Sequence, residues 1–270
     1  MFNKERLKPE NLKQTWPLLY FFIYMPWFML LEKSYPADYP GLHIIHIPLD
    51  DVLPFNEWFI IPYILWFLYI PVVFIFIYFQ GKNEFYRLCA YEFLGMTICL
   101  VICSVYPNGL NLRINPADIS HNFLGSIVRF LYTTDTPTNV LPSIHVFATI
   151  SAHICLVHSQ GLKSKVGKRI KIGSLILTIC ICLSTIFLKQ HSIVDLVTGA
   201  LLRSFFTLLF SKLLLIILTL ENQIKNRIIY NKKHCHKQIS VICVGNVFYY
   251  KFIVFLIKSE NLLNYFVQEL

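Results

Sequence analysis

A chain of 270 residues with 56% hydrophobic and only 14% charged residues falls well short of the roughly one-quarter charged content of soluble domains, which excludes an ordinary soluble fold and points to lipid. The net charge of +9 invites a nucleic-acid partner. Its cations sit between apolar runs, so the excess belongs to membrane topology and no nucleic acid is invoked.

Six apolar runs follow in order: Trp16–Leu31, Trp58–Phe79, Cys89–Tyr106, Pro142–His158, Ile172–Leu188 and Ser192–Leu218. Each approaches or exceeds the roughly 20 residues that cross a ~30 Å hydrocarbon core. Backbone facing lipid must satisfy its own hydrogen bonds, so all six are expected to be helices. The first is the shortest and holds Pro17 and Pro26. Between the first two lies a long polar segment, Glu32–Glu57. A second, Pro107–Leu141, is rich in Pro, Asn, Asp and Thr and reads as an ordered irregular loop. The connection between runs five and six shrinks to Lys189-Gln190-His191, a tight hairpin at one face.

Lys and Arg gather before the first run, at Lys82 and Arg87, at 163–171 and at 225–237. The alternate segments hold only Lys33, Arg113, Arg129 and Lys189. The positive-inside rule then places both termini in the cytoplasm. Past residue 220 the chain is polar and basic, and Ile239–Ile257 turns apolar around Lys251, a charge that weakens a seventh span. The Lys232–Lys237 stretch reads as a solvated face rather than a metal site. Cys89, Cys99, Cys103, Cys155, Cys180 and Cys182 lie inside spans and Cys235 and Cys243 in the tail, so no external disulfide framework is expected. The expected architecture is an all-α integral membrane protein. Residues 1–220 form a six-transmembrane-helix bundle, and 221–270 form a peripheral or poorly ordered tail.

Three segments meet at the non-cytoplasmic face of this topology. Leu141-Pro142-Ser143-Ile144-His145 opens the fourth span. Proline at the first helical position would leave the amides of Ser143, Ile144 and His145 as donors at a positive helix end, where phosphate binds. On a helix, His191 and Asp195 are i,i+4 neighbours, and a carboxylate beside an imidazole fixes its tautomer and frees the far nitrogen. Lys189 brings a cation to the same mouth, and Arg113 can clamp phosphate oxygens. His153 and His158 read as structural. Arg203, twelve residues beyond His191, is the one feature that favours a carrier; its plainer reading is an interior pairing role or snorkelling toward the cytoplasm.

At these positions the chain resembles the type 2 phosphatidic acid phosphatase superfamily, whose pattern is Lys-x6-Arg-Pro, Pro-Ser-Gly-His and Ser-Arg-x5-His-x3-Asp. The second part reads Pro142-Ser143-Ile144-His145, and the third reads Ser184-Thr185-x5-His191-x3-Asp195, over a motif core of about 106–199. Tyr106 stands where the family has Lys, Ile114 where it has Pro, Ile144 where it has Gly and Thr185 where it has Arg. The bulky residue at 144 is similar to the Pro-Ser-Leu-His form of the inositol phosphorylceramide synthase branch.

The resemblance implies a metal-independent, cofactor-free enzyme that hydrolyses a lipid phosphate or diphosphate at the extracytoplasmic face. It implies His191 as nucleophile, Asp195 as its partner and His145 as proton donor, with Arg113, Ser143 and Lys189 on the phosphate. Transfer of a phosphoryl head group to an alcohol is the alternative within this chemistry. A proton-coupled transporter and an inactive relative stand outside it.

Overall fold

The computed structural model describes residues 4–208. The chain divides into two compact units, Met1–Ser204 and Phe205–Leu270, and the first carries every element below. The expectations for Cys235, Cys243, Lys232–Lys237 and Ile239–Ile257, and for the end of the sixth run, lie outside the described residues.

In chain order the elements are α1 (Pro9–Leu12), a 3-10 stretch (Lys13–Tyr20), α2 (Phe21–Ser34), β1 (His43–Ile44), α3 (Pro48–Val52), α4 (Ile60–Gln80), α5 (Lys82–Val105), β2 (Asn108–Gly109), α6 (Phe123–Thr134), α7 (Ile144–His158) and α8 (Lys165–Phe187). A last helix, α9, starts at 193. Among the described residues three helices are long and apolar enough to cross a membrane: Glu57–Gln80, Lys82–Val105 and Lys165–Phe187. The fourth apolar run forms α7, which has 15 residues. The first run divides between the 3-10 stretch, which holds Pro17, and α2, which holds Pro26. Each proline removes an amide donor from the helical ladder.

Helix α7 packs against α4, α5 and α8. Its closest approach to α5 is at Gly95, where an added Cβ would lie 1.9 Å from the Phe147 ring. Cys89, Cys99, Cys103 and Cys155 are buried, and Cys180 and Cys182 partly so. All six are free thiols, in keeping with small apolar packing residues.

The 107–141 segment departs from an irregular loop, because it contains the twelve-residue helix α6. Asn122 caps it by accepting from the Gly125 amide at 2.7 Å. Val128 on its inner face packs with Ile60, Tyr63, Ile119 and Leu188, with Leu124, Ile127 and Leu131 alongside. Helical spacing of these apolar residues drives the element. The two polar segments are joined by a short parallel pairing of β1 with β2, His43 opposite Asn108. Buried Asn108 then receives the amides of Val140 and Leu141 on its Oδ1, at 2.9 and 2.8 Å. That fixes the chain just before α7 begins.

Candidate active site

Helix α8 ends with Lys189 in the left-handed region, φ 55°. The Lys189 amide donates to Ile186 O at 2.9 Å and the Gln190 amide to Thr185 O at 2.9 Å. This is the six-to-one and five-to-two pairing of a Schellman ending, with lysine where glycine is usual. Two residues later α9 begins with a capping box. The Ser192 Oγ accepts from the Val194 amide at 3.1 Å, and the Asp195 Oδ2 accepts from the Ser192 amide at 2.9 Å. His191 therefore stands in the connection, one residue before the cap, and not on the helix as its spacing suggested. Its contact with Asp195 survives because the capping turn folds back: His191 Nδ1 lies 3.3 Å from Asp195 Oδ2.

The start of α7 also differs by two residues from expectation. Ser143 is the cap and Ile144 the first helical residue, so Pro142 lies outside the helix. The Ser143 amide is not left for a ligand. It donates to Asp195 O at 3.1 Å and ties α7 to α9. Its hydroxyl faces the Val146 amide at 3.4 Å. The helices meet closely here, since a Cβ at Gly199 would fall 2.7 Å from Ser143 O.

This join brings His145 to His191. The Nδ1 of His145 is 3.3 Å from His191 Nε2, and its Nε2 is 3.2 Å from the Tyr63 hydroxyl. The same hydroxyl lies 3.4 Å from Asp135 Oδ2. Trp66 packs on the His145 ring at 4.5 Å between centroids. Asp195, His191, His145, Tyr63 and Asp135 thus form a line of titratable groups. Tyr63 comes from an apolar helix and was not singled out in the sequence, where it looks like any other aromatic of the span.

Both histidines, Tyr63, Trp66, Asp135 and Gln190 line a pocket of about 400 Å³. Its other walls are mostly apolar, from Tyr24, Met25, Phe28, Phe67, Leu131 and Val140 among others, with Thr134, Thr136, Thr138 and Asn139 as polar members. Glu32, which is not itself part of the lining, accepts from the Thr136 hydroxyl and, at 2.8 Å, from Asn139 Nδ2.

The expected cations lie behind or away from this pocket. Arg113 donates through Nη1 to Tyr132 O at 3.1 Å and Asp135 O at 2.7 Å, and through Nη2 to Gln190 Oε1 at 2.6 Å. Its guanidinium stands over the Tyr132 ring at 4.8 Å. Burial lowers the Arg113 pKa and raises that of the Asp135 carboxyl, with the Arg113 charge opposing the second shift. Lys189 points elsewhere. Its Nζ donates to Asp50 O at 2.7 Å and Leu53 O at 2.6 Å. It lines a separate cavity of about 480 Å³ with His46, Asp51 and Asn111.

Asp50 is a second residue absent from the sequence reading. Fully buried, its carboxylate accepts from the Ile47 amide at 2.9 Å, the Ser192 hydroxyl at 2.7 Å and the Ile193 amide at 2.9 Å. It thereby braces the start of α9 beside His191. Farther along, Arg203 is buried with its guanidinium 4.1 Å from the Tyr91 ring centroid, and His153 pairs with Ser174 at 2.8 Å. Both fit structural roles.

Among the described residues no group of three or more His, Cys, Asp or Glu side chains is arranged to hold a metal ion. No family model matches the chain, and no curated protein or solved structure matches it at significance.

Proposed function

We propose that the protein is a membrane phosphatase acting on a lipid phosphate or diphosphate through a phosphohistidine. The observation that carries this reading is His191, held at Nδ1 by Asp195 and facing His145 from Nε2, in the wall of an otherwise largely apolar pocket. An imidazole with one nitrogen on a carboxylate presents the other as a nucleophile and stabilises the cation that forms.

In the first step His191 Nε2 attacks phosphorus, a P–N bond forms and the P–O bond to the lipid breaks. His145 gives its proton to the departing oxygen. In the second step water attacks phosphorus, His145 takes the water proton, and the P–N bond breaks to release phosphate and restore His191. The rings stand at contact distance, so a bound phosphoryl group enters by parting them, with Tyr63 steering His145. The apolar and aromatic walls suit a lipid tail.

The positive-inside distribution supports a six-span arrangement with both termini cytoplasmic and this site on the extracytoplasmic side. The same cycle serves an alcohol in place of water, and the polar groups in the lining, Asp135 with Thr134, Thr136 and Asn139, suit a hydroxylated acceptor. A proton-coupled carrier is a further reading, favoured by the continuous line of titratable groups from Asp195 to Asp135.

The test is phosphate release by the purified full chain from a short-chain phosphatidic acid, with and without an alcohol acceptor, beside His191→Ala. Labelled substrate should leave an acid-labile, base-stable phosphoryl group on the wild type alone. Turnover persisting in His191→Ala would falsify the mechanism. Proton flux in liposomes without any phosphoryl chemistry would select the carrier.

A further inference from the structure

We propose that Gln190 is the side chain that holds a phosphoryl oxygen in this site, and that Arg113 acts through it rather than on the substrate. The inference rests on the phosphohistidine reading and deepens it.

Gln190 is 2% exposed, lines the pocket beside both histidines, and precedes His191 directly in the chain. Its Oε1 accepts from Arg113 Nη2 at 2.6 Å. That bond fixes the carboxamide, because a flipped amide would set its own donors against the guanidinium donors. The Nε2 donor is then left with no hydrogen-bond partner among the described residues. A buried amide donor without a partner is costly, and its retention marks a position that a ligand completes.

The oxygen it would receive is an equatorial oxygen of the phosphoryl group bound between the histidines, where charge gathers during transfer. Arg113 cannot readily take that role itself. Both of its terminal nitrogens already donate, to the carbonyls of Tyr132 and Asp135 and to Gln190, and although its Nε has no partner among the described residues, Arg113, unlike Gln190, does not line the pocket. Thr185, the other position where a cation was looked for, is fully buried and donates its hydroxyl to Cys182 O at 2.8 Å. The Lys189 ammonium is bound to the carbonyls of Asp50 and Leu53. A charge behind a carboxamide polarises it, so its N–H donates more strongly than a free glutamine would. The site would thus deliver the charge of Arg113 through one neutral amide.

The experiment uses the purified full chain, a short-chain phosphatidic acid as substrate and orthovanadate as probe. Gln190→Ala removes the donor. Gln190→Glu keeps the volume and the bond to Arg113 while placing an oxygen where the donor was, and it keeps the test open if Gln190→Ala does not fold. Both should lose about 10²-fold in kcat, with vanadate inhibition weakened to match. Losses for Arg113→Ala and Gln190→Ala should not add in the double variant.

Gln190 variants inhibited by vanadate within about twofold of the wild type, with His191→Ala inactive, would overturn this inference alone. Additive losses would overturn the indirect role of Arg113. A folded wild type that neither releases phosphate nor binds vanadate would overturn the phosphohistidine reading and this inference with it.

Discussion

Replacing Asp50 should loosen His191 without touching it. The buried carboxylate accepts from two backbone amides, Ile47 and Ile193, and from the Ser192 hydroxyl. In Asp50→Ala the hydroxyl can turn to another acceptor, but the amides cannot. Two buried donors left unpaired at about 1–3 kcal/mol each give a loss of about 2–6 kcal/mol. Asp50→Asn keeps one acceptor oxygen but sets an amino group against a donor, so about 1–2 kcal/mol should be lost. For a chain of this size each kcal/mol lowers the melting temperature by roughly 2–4 °C, which puts Asp50→Ala about 4–24 °C below the wild type. Tryptophan fluorescence during heating of the detergent-solubilised full chain would measure the shift, and phosphate release would follow the displacement of His191. An Asp50→Ala protein melting within about 2 °C of the wild type would show that the carboxylate does not brace the start of α9.

Three further outcomes follow from the same geometry. Tyr63→Phe removes the hydroxyl that meets His145 and Asp135 and should lower kcat by about 10- to 100-fold with little change in melting temperature. Unchanged turnover would remove Tyr63 from the mechanism. Gly199→Ala drives a methyl group to within 2.7 Å of Ser143 O, which should cost about 1–3 kcal/mol and separate His191 from His145. A fully active, equally stable variant would contradict the close join of α7 and α9. Burial raises the Asp135 pKa, so the folded state keeps a proton that the unfolded chain releases. Its contribution to stability is present below the ordinary carboxylate value of about 4 and is lost as pH rises through the folded value. Melting temperatures across this window should fall for the wild type and stay flatter for Asp135→Asn; parallel curves would contradict the shift.

The histidines and Asp195 were legible because spacing, topology and the resemblance of Pro-Ser-x-His and His-x3-Asp to a family pattern together single them out, and the structure does bring them together. His191 was placed in the connection before the sixth run, as observed, but its relation to Asp195 was read as helical, although Ser192-x-x-Asp195 carries the signature of a capping box that starts the helix after it. Helix α6 was hidden because its polar flanks gave the composition of a loop, while its apolar face needed the ends of α4 and α8 to become visible. Tyr63 and Asp50 left no local signal. Tyr63 is one aromatic among many in an apolar span, and Asp50 gains its meaning only from Ser192 and Ile193, which lie 142 and 143 residues away. Lys189 was placed correctly along the chain. Its direction depends on the left-handed turn at the end of α8, which residue type does not disclose.

That separation between Asp50 and Ser192 has a consequence for biosynthesis. A chain made from its N-terminus carries Asp50 long before its partners emerge, and His145 is in place well ahead of His191. His191, Asp195 and the Ser192 and Ile193 donors that Asp50 braces arrive together near the end of the described chain. A ribosome-bound intermediate ending before residue 190 would hold most of the pocket wall but no reactive histidine pair. The histidine pair is therefore incomplete through most of chain synthesis, and the closing of the Asp50 brace coincides with the moment the pair is completed.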